Sequence, residues 1–334
     1  MAKPTLTMAL AGLLGSAVLA QGPAPALVVA HAGSLSAALK AVEELYTRQT
    51  GVPVQDLAGG SVGLARRLAA GRLRCDLFAA ADSEVIDRML EPAGLSGPAL
   101  RFARGAMVLV YATTSRNAAT IAAPGPFRPP EAVPAAAPDW YAQLAQPGVR
   151  IAGAHPFLDP GGYRADLIFQ LAQDQYQTPD LYNDLLSNYV VTGGGGGLGR
   201  SFDYLFSYQH GAEAAARADT TGTYRYVRLP DAVNLGVPAL DARYARRSIT
   251  LPGLQVPGAA ATVTIPASTV TWGITLMNDA PHRDQAVAFL RLLLGDSGGE
   301  RLRALGPAPI QPAEVSARGY GRLPADLKAL VRVP

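Results

Sequence analysis

Two serines carry the pattern in this sequence that comes nearest to chemistry. Ser34 follows the apolar run Ala26-Leu27-Val28-Val29-Ala30 by way of His31-Ala32-Gly33, and Ser61 follows Val52 to Leu57 by way of Gly59-Gly60. Each stands where a strand-like stretch gives way to a helical one. A hydroxyl at such a corner can cap the helix, or turn outward and donate to a ligand oxygen. The first N–H groups of these helices, those of Leu35, Ser36, Val62 and Gly63, have no partner inside the helix, and each helix start carries roughly half a positive charge. The chemistry predicted is capture of an anion by neutral donors, which replace its lost hydration without any change of protonation.

Other chemistries fit less of the pattern. Gly59-Gly60-Ser61-Val62-Gly63 matches G-x-S-x-G, and Asp279 and His282 would complete a Ser…Asp…His order. An α/β-hydrolase places its nucleophile after several strands, whereas only about two precede Ser61, so a secreted hydrolase is the weaker reading. Gly194 to Gly199 matches G-x-G-x-x-G, and Gly194 to Ser201 approaches a P-loop with Arg200 in the lysine position. No clear strand leads into it, and a glycine run satisfies almost any glycine pattern, so it reads as a surface loop. His31, His155, His210 and His282 show no metal-ligand spacing. The single Cys75 excludes an intrachain disulfide and a thiolate cluster, and within Arg74-Cys75-Asp76-Leu77-Phe78 it reads as a core thiol. No cofactor is expected, and the chain reads as a binding protein, not an enzyme.

The 334 residues, 49% hydrophobic and 16% charged, suffice for one large or two medium domains with a sizeable core. A net charge of +3 is too small to argue for nucleic acid or a membrane surface as partner. Residues 1–20 read as a cleavable secretory signal: Lys3, an apolar stretch from Leu6 to Leu14, then small residues in Val18-Leu19-Ala20 before Gln21. No cysteine follows to take a lipid, and no later segment reaches transmembrane length. The expectation is a periplasmic or otherwise extracytoplasmic protein.

The elements that must position the serines repeat a strand–helix unit. Leu35, Leu39, Val42, Leu45 and Tyr46 recur at helical spacing, with Lys40, Glu43, Glu44 and Arg48 assigned to the opposite side. A second helix over Val62 to Ala70 carries Leu64, Ala65 and Leu68 inward. Leu77 to Ala81 reads as a third strand and Ala106 to Tyr111 as a fourth. Residues 116–138 form a Pro/Ala-rich connection. A second α/β pattern follows: a strand at Val149 to Ala152, helices at Arg164 to Gln173 and Leu181 to Leu186, and an apolar run at Tyr204 to Tyr208. Strand-like runs at Val263 to Ile265 and Trp272 to Met277 and a helix from Arg283 to Leu294 then return to an open sheet. The predicted fold is α/β and two-lobed, each lobe a mostly parallel sheet flanked by helices. Lobe 1 spans 25–111 plus 230–330 and lobe 2 spans 112–229, with the ligand in the crevice between them.

The sequence resembles the periplasmic molybdate/tungstate-binding proteins, particularly the tungstate-transport branch, over about residues 27–331. The motifs come in the family's order: Ala32-Gly33-Ser34-Leu35-Ser36, Gly59-Gly60-Ser61-Val62, Asp139-Trp140-Tyr141 and Asp159-Pro160-Gly161-Gly162-Tyr163-Arg164. Phe202-Asp203-Tyr204-Leu205-Phe206, Leu229-Pro230-Asp231-Ala232-Val233-Asn234-Leu235 and Gly273-Ile274-Thr275-Leu276 complete the series. The resemblance implies the type II periplasmic-binding-protein fold. It also implies a monomer that closes over a molybdate or tungstate ion and docks onto an ABC permease working with its ATPase. By motif, Ser34 and Ser61 would contact the anion, Asp159 would approach its metal centre, and Gly33, Gly161 and Tyr163 join the ligand-binding candidates. Tyr163 and Tyr208 read more readily as packing or hinge residues. Two departures stand out. Ala232 occupies the position of the family's hinge glutamate, and Ala154-His155-Pro156 replaces the usual Ser-Asp-Pro. Loss of the glutamate predicts a tetrahedral or five-coordinate anion, with Asp231 the candidate stand-in. Sulfate, phosphate or a small organic anion is the alternative cargo.

Overall fold

The computed structural model describes residues 26–192 and 197–334. The proposed signal at residues 1–20 and most of the glycine run lie outside the described residues. No helix among those described is long and apolar enough to cross a membrane.

Strands β1 (Leu27–Ala32), β2 (Val54–Gly59), β3 (Leu77–Ala80) and β4 (Leu100–Arg104) open the chain. β5 (Met107–Ala112), β6 (Ile151–Gly153), β7 (Tyr189–Val191), β8 (Tyr204–Tyr208) and β9 (Tyr224–Arg228) follow. The last five are β10 (Ser248–Pro252), β11 (Thr262–Pro266), β12 (Thr271–Leu276), β13 (Ala308–Glu314) and β14 (Val331–Arg332). A seven-stranded sheet has the order β14-β13-β4-β12-β3-β1-β2, and a five-stranded sheet the order β7-β6-β8-β5-β9. The chain passes from the first sheet to the second between Arg104 and Met107 and returns between Arg228 and Thr271.

Both sheets are mixed, which corrects the expectation of mostly parallel ones. β1 runs parallel to β2 and β3, but the returning strand β12 lies antiparallel between β3 and β4. In the second sheet β6 is parallel to β7 and β8, while β5 is antiparallel to β8 and β9. The run expected as a lobe 1 strand at 106–111 therefore belongs to the second sheet. Leu100–Arg104, which the periodicity did not reveal, takes a place in the first. Two buried apolar runs joined by a short link look alike in sequence, and only long-range pairing assigns each to its sheet. Likewise Val263 to Ile265 joins neither sheet; β10 and β11 form a separate antiparallel hairpin.

Helix α1 (Ser36–Thr50) covers β1 and buries Ala38, Leu39, Val42, Glu43 and Tyr46. Glu43 was assigned to the solvent side, yet it is only 7% exposed. Leu39, Val42, Glu43 and Tyr46 follow i, i+3, i+4, i+7, so the position lies on the inward stripe whatever residue fills it. The helix ends at Gly51, whose φ of +72° is left-handed and whose N–H donates to the Thr47 carbonyl. Helix α2 (Ser61–Ala69) packs Val62, Leu64, Ala65 and Leu68 inward. Helix α3 (Pro160–Tyr176) belongs to the second sheet and starts with Pro160 behind the capping Asp159. Replacing Gly51 by alanine forces a Cβ into left-handed backbone, at a cost of about 1–2 kcal/mol. Urea unfolding should show that loss, with an unchanged slope.

Candidate functional site

In the parallel pair β1–β2, Ala32 lies opposite Gly59, so the corners that follow, at Gly33-Ser34 and Gly60-Ser61, sit side by side at one sheet edge. β3 runs parallel to β1 and delivers Ala81 and Asp82 to the same edge. These are the carboxyl ends of three parallel strands, the edge at which ligands of open α/β sheets generally bind.

Neither serine caps its helix in the manner expected. Ser34 lies within a short 3-10 turn, Gly33–Leu35, and its Oγ accepts from Trp272 Nε1 at 3.0 Å. Ser61 is the first residue of α2, not the residue before it, and is 0% exposed; its Oγ accepts from the Ala81 N–H at 3.0 Å. A hydroxyl that accepts from a fixed N–H keeps its own hydrogen to donate. Neither hydrogen has an acceptor among the described residues. The sequence offered no sign that Trp272 or Ala81 would orient these two side chains.

The second sheet closes on this edge from the other side. Leu158 O accepts from Gly63 N at 3.0 Å, and a Cβ on Gly60 would lie 2.6 Å from that same oxygen and 3.0 Å from Asp159 Oδ2. Gly60 is thus required where the two loops meet. Asp159 Oδ1 accepts from Gly161 N at 2.7 Å, the N-cap bond of α3. Burial pushes its carboxyl above the usual carboxylate range, against the opposing effects of the Gly161 N–H and the Arg164 charge. His210 Nε2 donates to Ser34 O at 2.9 Å, and burial lowers its pKa, which keeps the ring neutral.

Arg164 does not pair with Asp159. Its guanidinium, 1% exposed, donates from Nη1 to Ala81 O at 2.7 Å and to Tyr208 Oη at 2.9 Å, and Nη2 stands 3.2 Å from Asp82 Oδ2. Tyr163 Oη donates to the same Asp82 oxygen at 2.7 Å. Asp82, Tyr208, His210 and Trp272 were not singled out as site residues. Asp82 and Trp272 read as ordinary ends of apolar strands, and the chain separation from Asp82 to Tyr163 hides their contact.

Ser34, Ser61, Asp159, Gly161 and Tyr163 thus come together at the meeting of the two sheets. Gly33 sits at the Ser34 corner and is exposed. Asp231 does not join them: it is exposed, and its Oδ1 accepts from Asn234 Nδ2 at 3.0 Å within the turn where the chain returns to the first sheet. Adjacent backbone positions point apart, and the carboxylate serves that turn. The hydrolase constellation is not assembled either. The His282 ring contacts Asp76 at 3.2 Å, just before β3 begins, while Ser61 meets Ala81 beyond the end of the same strand.

Comparison of the whole chain with known proteins bears on its family and fold. The family model for bacterial extracellular solute-binding proteins matches residues 27–306, which include both sheets up to the last two strands. The chain belongs to that family. An uncharacterized solute-binding protein of Methanoculleus marisnigri is 27% identical over 339 residues, covering 92% of this chain and 87% of the relative. The molybdate/tungstate-binding protein WtpA of Thermococcus kodakarensis is 27% identical, with the same coverage of 92% and 87%. The solved structure of the sulfate-binding protein SubI from Mycobacterium tuberculosis superposes with a TM-score of 0.58 at 16% identity, over 92% of each chain, and shares the fold.

The buried Asp82–Arg164 contact predicts a large, asymmetric mutational response in this solute-binding protein. Arg164→Met leaves Asp82 uncompensated and should cost about 3–5 kcal/mol in urea unfolding. Arg164→Met combined with Asp82→Leu should cost clearly less than the sum of the two single changes.

Proposed function

We propose that the protein captures a tetrahedral oxyanion, tungstate or molybdate in the first place, between its two sheets. It would deliver that ion, outside the cytoplasm, to an ABC permease and its ATPase. The observation that carries the reading is the orientation of the two serine hydroxyls. Each is locked as acceptor to a fixed N–H, so each has a hydrogen to spend on ligand oxygen. The helix starts add their dipoles, although two of the N–H groups expected to be free are spent within the protein, Ser36 on Gly33 O and Gly63 on Leu158 O. The names carried by relatives of the WtpA type support molybdate or tungstate over other anions.

In this reading Asp159 is the discriminating residue. A carboxylate repels a nearby anion unless it reaches the metal centre or carries a proton, and molybdenum and tungsten can expand their coordination where sulfur cannot so readily. With Ala232 in the hinge and Asp231 turned to solvent, Asp159 acts without a second carboxylate, consistent with a tetrahedral or five-coordinate guest.

Calorimetric titration with tungstate, molybdate, sulfate and phosphate tests the proposal. Tight one-to-one heat with the metal oxyanions supports it; heat with sulfate or phosphate alone rejects it in favour of that other cargo. Ser61→Ala removes a hydrogen bond to a charged ligand and should weaken binding roughly ten- to hundredfold. Asp159→Ala should narrow the preference for tungstate over sulfate, and an unchanged ratio would remove Asp159 from the selectivity. Because the Asp159 pKa is raised above its ordinary value of 3.8, its neutral form gains weight earlier as pH falls toward the acid range. Repulsion then declines, so wild-type affinity for sulfate, whose sulfur does not expand its coordination to the carboxylate, should rise as pH is lowered, and Asp159→Asn should flatten that dependence.

A further inference from the structure

We propose that His31, Glu43 and Asp56 form a second site, for a divalent transition-metal cation of the zinc type, under helix α1. Their ligand atoms all lie within 4.8 Å of one another. β1 and β2 pair with Val29 opposite Asp56 and His31 opposite Ala58, so His31 and Asp56 are diagonal neighbours on one face of the sheet. α1 lays Glu43 over that face.

The hydrogen bonding of these three residues is incomplete in a way that a cation would complete. His31 is 0% exposed, and its Nδ1 stands 2.8 Å from Ala32 O. A carbonyl only accepts, so Nδ1 carries the hydrogen and Nε2 of the neutral ring presents a lone pair. That is the arrangement by which metal-ligating histidines are oriented. Nε2 is in direct contact with Asp56 Oδ1. A lone pair facing a carboxylate requires a proton or a metal ion between them. The third member is decisive: Glu43 is 93% buried on its 7% exposure, and its Oε1 has no hydrogen-bond partner among the described residues. A buried carboxylate oxygen left unpaired is costly, and histidines and neighbouring carboxylates relieve that cost by sharing a cation.

One imidazole and two carboxylates suit zinc and its neighbours better than calcium or magnesium, which favour oxygen ligands alone. Access is open. A surface cavity of about 490 Å³, lined by Lys40, Glu43, Glu44, Thr47, Arg48, Val54 and Asp56, leads to the carboxylates and leaves room for water to complete the coordination. Sequence spacing did not show the site because its ligands come from a strand, a helix and a second strand, with no two on one element.

The test uses the full chain stripped of metal with a chelator, then titrated with Zn2+ by calorimetry and followed by thermal unfolding. The expected result is one saturable equivalent with a raised Tm, and with Co2+ a visible absorption band of ligand-field type. Glu43→Gln and Asp56→Asn keep shape and should each weaken Zn2+ by at least about tenfold, while their circular dichroism and cooperative urea unfolding without metal stay as in wild type, which shows that the variants are folded. No saturable Zn2+ binding by the wild-type chain would overturn the proposal, as would Glu43→Gln binding Zn2+ as tightly as wild type. The latter result would assign the cluster to a proton shared between His31 and Asp56 beside a protonated Glu43. Because this site and the anion crevice are read by separate titrations, failure of one leaves the other standing.

Discussion

A guanidinium cannot be taken out of water alone, and the meeting of the two sheets is organised around that constraint. Arg164 extends from the second turn of α3, which belongs to the second sheet, into a position 1% exposed. Two of the groups that receive it, Ala81 O and Asp82, come from the end of β3 in the first sheet, and Tyr208 Oη comes from its own. The charge is compensated only when the sheets meet, with Nη1 hydrogen-bonded and Nη2 held by the Asp82 charge but without a hydrogen-bond partner among the described residues. Tyr163, the preceding residue, donates to the same aspartate and adds a second tie across the gap.

This division of labour bears on the chemistry of the crevice. With Asp82 beside it, Arg164 is largely neutralised, and the local field at the serine corners comes from hydroxyls and helix-start N–H groups. Donors of that kind hold an anion firmly while keeping no net charge that would trap it, which suits a carrier that must release its cargo. Asp159 also belongs to this arrangement, with its pKa raised by burial, and unlike Asp82 it forms no ion pair among the described residues.

Much of the architecture was legible in the residue pattern. The Tyr204–Tyr208 strand and the Arg283–Leu294 helix fall where apolar spacing puts them. The strand–helix corners at Ser34 and Ser61 follow from apolar runs ending in glycine and restarting at helical period. The assignment of Met107–Ala112 failed because two adjacent buried strands are indistinguishable until their partners are known. Glu43 was misplaced for a different reason. A charged residue on the inward stripe of a helix is read as solvent-facing by type, and only the presence of His31 and Asp56 beneath it gives a polar group there something to face.

By itself the sequence determined the element types, the strand–helix corners and the residue chemistry available at them, because local spacing and backbone preference act over a few residues. It also determined the family, whose motifs are short and ordered. Tertiary structure alone decided which serine proton stays free, since that depends on Trp272 and Ala81, remote in the chain from Ser34 and Ser61 respectively. It alone decided that Arg164 seeks Asp82 and that Asp231 serves a turn outside the crevice. Hydrogen bonds and ion pairs form between whatever groups folding brings within about 3 Å, and that proximity is a property of how the sheets close, which no local pattern encodes.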